Sequence, residues 1–361
     1  MRRSGLARIP IIDIFLWVFR IGVIGVVLYG SFGTLRQGKY SGEVWIDFVV
    51  FGLSQGSVYA LIALGYTMVY GILRMINFAH GEVFMSGAYV AYFAAAAFNA
   101  AGFLNRQPVI ALLAVLGVAM LTSTGIALVV ERIAYRPLRR APRLVPLIAA
   151  IGASFFLQYT FRGFFGTGFQ AYPGVNVLKG EWVLAGIGIL RTQAVVIVGA
   201  VVMMLALYLF VQRTKTGTAM RAVSEDMEVA AMMGIDVDRI IVITFGVGAA
   251  AAGAAGVLYA LVFPQVHFFM GFLPGIKAFT AAVLGGIGNI PGAMVGGLFL
   301  GIFESVGPTL FLEGLTVPGI YPAGIPAPYQ LKDVIAFVML VMVLIFRPSG
   351  ILGERLATKK A

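Results

Sequence analysis

No cysteine occurs among the 361 residues, and His80 and His267 are the only histidines. Disulfides, thiol nucleophiles and cysteine metal centres are therefore excluded together, and neither a metal nor a cofactor is expected. Charge is scarce too, with Asp, Glu, Lys and Arg making up 11% of the chain. Catalytic signatures are equally thin: there is no paired-histidine metalloprotease motif and no nucleophile elbow. In "GTLRQGKY", Gly33, Gly38 and Lys39 have the spacing of a phosphate-binding loop, but Tyr40 stands where the magnesium-holding Ser or Thr belongs, and an apolar run precedes it in place of a strand. "GGIGNIPG" imitates a dinucleotide fingerprint only until Pro291, which replaces the last glycine.

What is abundant is apolar surface. Hydrophobic residues make up 60% of the chain and the mean hydropathy is +0.96, outside the range of a water-soluble domain. A hydrocarbon core of about 30 Å needs roughly 20 apolar residues per helical pass. Ten runs meet or approach that length: 11–33, 45–73, 82–104, 108–130, 144–165, 193–212, 240–263, 268–287, 290–312 and 331–347. They are too long for the roughly 10-residue strands of a membrane barrel. The expected fold is an all-α polytopic bundle of about 8–10 spans, with 268–287 and 290–312 able to form a shorter hairpin. The first run resembles a signal peptide only briefly, since it contains Asp13 and Arg20 and lacks a small-residue cleavage site. It reads as a retained or membrane-surface helix.

The net charge of +11 is dispersed over short loops without interleaved aromatics, which points to membrane topology and not to nucleic acid. Basic clusters fall at Arg2, Arg3 and Arg8, at Arg132, Arg136, Arg139, Arg140 and Arg143, at Arg213, Lys215, Arg221 and Arg239, and at Arg355, Lys359 and Lys360. Ten passes put all four on one side, and the positive-inside rule makes that side, with both termini, cytoplasmic. Arg36 with Lys39, and Lys179 with Arg191, fall on the other.

Small residues concentrate in "GVGAAAAGAAG" (246–256) and "GNIPGAMVGGLFLG" (288–301), where Gly292, Gly296, Gly297 and Gly301 are spaced for close helix packing. Residues 52–71 followed by "NFAHGEVFMSGAY" are similar to 244–263 followed by "GFLPGIKAFTAAV", about 190 residues later. Five passes separate the two, so the copies are expected to be inverted. Arg74, Asn77, His80 and Glu82 interrupt the apolar pattern between passes two and three. They read either as a connector near the cytoplasmic surface, with Glu82 opening the next helix, or as a gating element. Lys277 and Glu304 lie deeper in their runs and read as snorkelling or paired charges.

The hydrophilic stretch "RTKTGTAMRAVSEDMEVAAMMGIDVDRI" (213–240) predicts a short cytoplasmic helix. Ser224 is placed to cap it, Glu225 and Asp226 to occupy its first turn, and Gly234 to end it after Met233. Ala230, Met232 and Met233 give it a small apolar face. Helices below about 12–15 residues are marginal in water, so a partner is expected to hold this one.

"GSVYALIALGYTMVYGILRMINFAHGEVFMSGAY", "AFTAAVLGGIGNIPGAMVGG" and "MRAVSEDMEVAAMMGID" resemble the permease subunit of branched-chain amino-acid ABC importers, the LivH type, over roughly 51–353. The resemblance implies a multi-pass subunit of the bacterial inner membrane, itself no enzyme, paired with a second, homologous permease, two cytoplasmic ABC ATPases and an extracytoplasmic amino-acid-binding protein. It maps the ATPase-coupling loop onto 217–234, with Ser224, Glu225, Asp226, Glu228, Ala230, Ala231, Met232, Met233 and Gly234 as coupling residues. The spacing of "EVAAMMG" departs from the Glu-Ala-Ala-x-x-x-Gly loop of other ABC importers. The expected organisation is an N-terminal cytoplasmic end with an extra transmembrane or interfacial helix (1–40), a permease domain (41–353) with its coupling region at 216–235, and a basic cytoplasmic tail (354–361). Cargo would be Leu, Ile or Val; a same-family permease for urea, short amides or other amino acids is the alternative, and an ion-driven secondary transporter the reading from another class.

Overall fold

The computed structural model describes residues 11–139, 141–142, 144–184, 187–316, 325, 328–347 and 349–353. Arg2, Arg3, Arg8, Arg140, Arg143, the segment 317–324 and the tail 354–361 lie outside the described residues. Thirteen α-helices follow in order: α1 (Ile11–Gln37), α2 (Gly42–Leu73), α3 (His80–Ala100), α4 (Phe103–Arg106), α5 (Pro108–Val130), α6 (Leu144–Phe165), α7 (Arg191–Arg213), α8 (Lys215–Glu225), α9 (Met227–Met232), α10 (Val237–Val262), α11 (Phe272–Gly285), α12 (Ile290–Gly307) and α13 (Lys332–Phe346). In hydrocarbon every backbone polar group must be paired within its own segment, which is why apolar runs of this length become helices. Among the described residues nine helical spans are long and apolar enough to cross a membrane.

The eighth run takes the shorter of the forms expected for it. Where a full helix would begin at 268, a non-helical stretch, extended at Gln265 and Val266 and turning over Phe268 to Gly271, leads into α11, whose 14 residues span about 21 Å. Its beginning is tied to one end of the bundle, where β4 (Gln265–Val266) pairs antiparallel with β1 (Gln170–Ala171). That end also carries a second strand pair, β2 (Glu181–Leu184) with β3 (Ile187–Leu190). Past α11, Ile351 and Leu352 donate backbone hydrogen bonds to Leu284 and Gly285 at the opposite end. The chain thus crosses the bundle here with half a helix. Non-helical backbone is tolerated at that depth only when protein covers it, and Val266 and Met270 are buried.

The two halves share one packing scheme. α2 packs on α12 as α10 packs on α5; α3 packs on α5 and α10 as α11 packs on α12 and α2; and α3 meets α6 as α11 meets α13. α2 and α10 cross at the centre, where a Cβ on Gly65 would stand 2.9 Å from the Gly248 carbonyl oxygen. Small residues there let the backbones touch. α1, α5, α7 and α13 turn most of their apolar side chains outward, as lipid-facing helices do. Between α1 and α2, Lys39 and Tyr40 both bond the Glu313 carboxylate. That hydrogen bond and charge raise the Lys39 pKa above its ordinary 10.5.

Candidate functional site

The short helices α8 and α9 project from the bundle end opposite the strands. Thr214 opens α8 by accepting from the Gly217 N–H at 3.0 Å. α8 then ends at Asp226, which has extended backbone and whose Oδ1 accepts from the N–H groups of Glu228 and Val229 at 2.9 and 3.0 Å. Asp226 caps α9; Ser224 does not. Ser224 lies in the last turn of α8, its hydroxyl donating to the Arg221 carbonyl at 2.7 Å. A carboxylate one residue before the new helix reaches two orphan N–H groups, and the more distant Ser224 cannot compete. Gly234 ends the segment at φ +84°, and Asp236 caps α10 through the Arg239 N–H.

Six residues cannot hold a helix alone. Ala230 anchors α9, buried with Met220 and Val223 of α8 against Val211, Ile240 and Phe245. Ala230 therefore faces the chain's own core and is not part of a presented surface, contrary to its sequence reading. What α9 presents is Ala231, Met232 and Met233 together with Val229, flanked by the exposed acids Glu225, Asp226 and Glu228. Met232 and Met233 are 78% and 79% exposed, an adaptable apolar surface beyond the membrane-spanning helices. Val229, 49% exposed, was missed because its helical phase depended on where the cap lay.

Arg74 joins this segment to the core. It closes α2 in a left-handed conformation, φ 53°, and its Nη2 donates to the Ser224 carbonyl at 2.8 Å. A guanidinium at the carboxyl end of α8 meets the negative pole of that helix. After Arg74 the connector runs inward and not along a surface. Asn77 is buried and accepts a 2.6 Å hydrogen bond from the Tyr135 hydroxyl. His80 is buried against Gly65, eight residues before the end of α2, or about 12 Å inside the bundle, with its ring 4.8 Å from that of Tyr66. Glu82 lies in the first turn of α3, fully enclosed, accepting from Gln158 at 2.6 Å and Ser154 at 3.4 Å. Of the four, only Arg74 sits where a surface connector would. Arg139, bridging Glu131 and Asp238, ties the end of α5 to the start of α10 beside α9.

The spaced glycines serve two different contacts. Gly292 and Gly296 face α11, with a Cβ on Gly296 placed 2.8 Å from the Gly285 nitrogen; Gly297 and Gly301 face Ala60 and Gly56 of α2. Lys277 is paired: its ammonium stands 2.6 Å from Glu304 of α12 and 2.6 Å from Asp333 of α13. Among the described residues no cluster of three or more His, Asp or Glu could hold a metal ion.

A family model described as "Branched-chain amino acid transport system / permease component" matches residues 48–344. The chain belongs to that family. Members are permease subunits of ABC transport systems and carry no catalytic activity of their own. This permease is 44% identical over 313 residues to the high-affinity branched-chain amino acid transport system permease protein BraD of Pseudomonas aeruginosa, covering 86% of this chain and 96% of BraD. It is 43% identical over 308 residues to LivH of Escherichia coli K12, covering 84% and 94%. It is also 29% identical over 160 residues to a LivM permease of Methanocaldococcus jannaschii, 41% of this chain and 43% of that one, so two permease types are related. A metal-chelate type ABC transporter in an inward-facing conformation is a distant likeness, with TM-score 0.39, 14% identity and coverage of 89% and 98%. The permease is thus a multi-pass membrane protein homologous to bacterial inner-membrane permeases.

Proposed function

We propose that this permease passes branched-chain amino acids across the bacterial inner membrane, paired with a second, homologous permease and driven by two ATPases that seat on α8 and α9. An extracytoplasmic binding protein delivers the cargo, and the α8 end, with both chain termini, faces the cytoplasm. The observation that carries this reading is the presented face of α9, Val229, Ala231, Met232 and Met233, held by the Asp226 cap and linked to the core through Arg74. Arg136, Arg139, Arg213, Lys215, Arg221 and Arg239 crowd the same end, which supports its cytoplasmic orientation. ATP-driven motion of the ATPases would move α8 and, through the Arg74–Ser224 bond, the connector that sets the buried start of α3. Cargo with aliphatic side chains needs only weak, apolar contacts along such a path.

The test is Ala231→Glu in the assembled complex. Ala231 is exposed, so the variant is expected to insert and fold, while a carboxylate buried unpaired at a docking contact is costly. Uptake of labelled leucine and substrate-stimulated ATP hydrolysis should both collapse. Normal values for both in inserted protein would remove the coupling assignment. Uptake of urea or an amide by the wild-type complex in place of leucine would reassign the cargo.

A further inference from the structure

A half-open cleft of about 60 Å³ lies behind α8, between the ends of α2, α7 and α10 and the turn before α12. Its walls are of two kinds. Met68, Ile72, Val211, Met220 and Ile290 supply an apolar lining, and Thr67, Thr244, Arg221 and Ser224 supply polar groups. Thr67 is 1% exposed and its hydroxyl has no hydrogen-bond partner. The oxygen is sealed from solvent in this conformation; a buried, unpaired hydroxyl is costly, so a solute that reaches it as the cleft wall relaxes gains a hydrogen bond. Arg221 at the rim donates to the neutral side chain of Gln212 at 2.9 Å, and among the described residues no carboxylate lies within ion-pair distance of it. A small solute with a carboxylate for Arg221, a polar group for Thr67 and an aliphatic side chain for the methionine and isoleucine wall fits this chemistry.

We propose that the cleft is a regulatory site for a free aliphatic amino acid on the α8 side of the membrane. It would be the transported species itself, so the proposal rests on the cargo and orientation given above. Ser224 lines the cleft and also receives the Arg74 bond, so a solute wedged there ties α8 to the end of α2. Occupation therefore restrains the element that must move with the ATPases. Accumulated product slows its own import.

Gly71 provides the probe. It lines the cleft, and a Cβ built there meets no atom within 4 Å, so Gly71→Leu fills the space without displacing backbone. The complete complex is reconstituted in vesicles with ATP and leucine inside and labelled leucine with its binding protein outside. Initial uptake and ATP hydrolysis by the wild type should both fall several-fold as luminal leucine rises. In Gly71→Leu, uptake into leucine-free vesicles should persist while the inhibition disappears. Wild-type rates insensitive to luminal leucine, or inhibition undiminished in Gly71→Leu, would overturn the proposal. Should that variant fail to assemble, Thr67→Val decides, because it keeps the volume and removes the hydroxyl. Half-inhibition should then need several-fold more luminal leucine, and an unchanged midpoint rejects the site. A wild-type complex that takes no leucine into empty vesicles removes the cargo assignment itself, and this proposal with it.

Discussion

Gly81 and Gly271 meet backbone to backbone at the starts of α3 and α11: a Cβ on Gly81 would stand 2.6 Å from the Gly271 carbonyl oxygen, and a Cβ on Gly271 would strike the Gly81 carbonyl. The residues are 190 apart in sequence, and each lies at the start of its helix. The contact is reciprocal: each glycine leaves room for the other's backbone.

Gly81→Ala and Gly271→Ala should each destabilise the fold by about 1–3 kcal/mol, since backbone at this contact must shift to admit a methyl group. Gly117→Ala is the control, because a Cβ there meets nothing within 4 Å. Thermal unfolding in detergent, followed with the yield of assembled complex, measures the difference. Equal stability of all three variants would contradict the close approach.

Charge removal at Lys277 should be more harmful than at Glu304. Lys277→Met leaves Asp333 without its partner and Glu304 with only the more distant Lys332 at 3.8 Å, whereas Glu304→Gln leaves Lys277 paired with Asp333. Breaking a buried pair costs about 3–5 kcal/mol. The double variant Lys277→Met with Glu304→Leu should recover part of that loss. Thermal unfolding of the single and double variants checks the order, which a purely lipid-facing lysine would not produce.

Asp226→Ala should fray α9 and cost about 0.5–2 kcal/mol locally, while Ser224→Ala should leave α9 intact. Amide hydrogen exchange across 227–233 reads the helix directly. ATPase co-purification should weaken for Asp226→Ala alone. Equal protection in the two variants would reassign the cap.

Orientation can be read with single cysteines, the chain having none of its own. Trp182→Cys on the strand pair and Met233→Cys just past the end of α9 are both exposed positions at opposite ends of the bundle. A membrane-impermeant maleimide should label the first in intact cells and the second only after permeabilisation. The reverse pattern would invert the protein in the membrane.

Much of this architecture is written locally in the chain. Apolar runs of membrane length commit to helices because hydrocarbon offers no other partner for the backbone. The turn chemistry at Gly234 is local as well, since a left-handed residue after a short helix favours glycine wherever it occurs. The tertiary structure decided the rest. Whether 268–287 is a whole helix or a half depended on Gly81, Val266 and Met270 being buried by segments far away in sequence, because uncovered non-helical backbone would not survive at that depth. His80 and Glu82 look like surface connector residues until α2 and α6 are seen to enclose them, and Ala230 looks like part of a docking face until α8 turns it inward. Hydropathy sums a residue's own preference for lipid or water. The depth, facing and pairing of Lys277 with Glu304 and Asp333 depend on which other helices arrive beside it, and only the packed bundle supplies that.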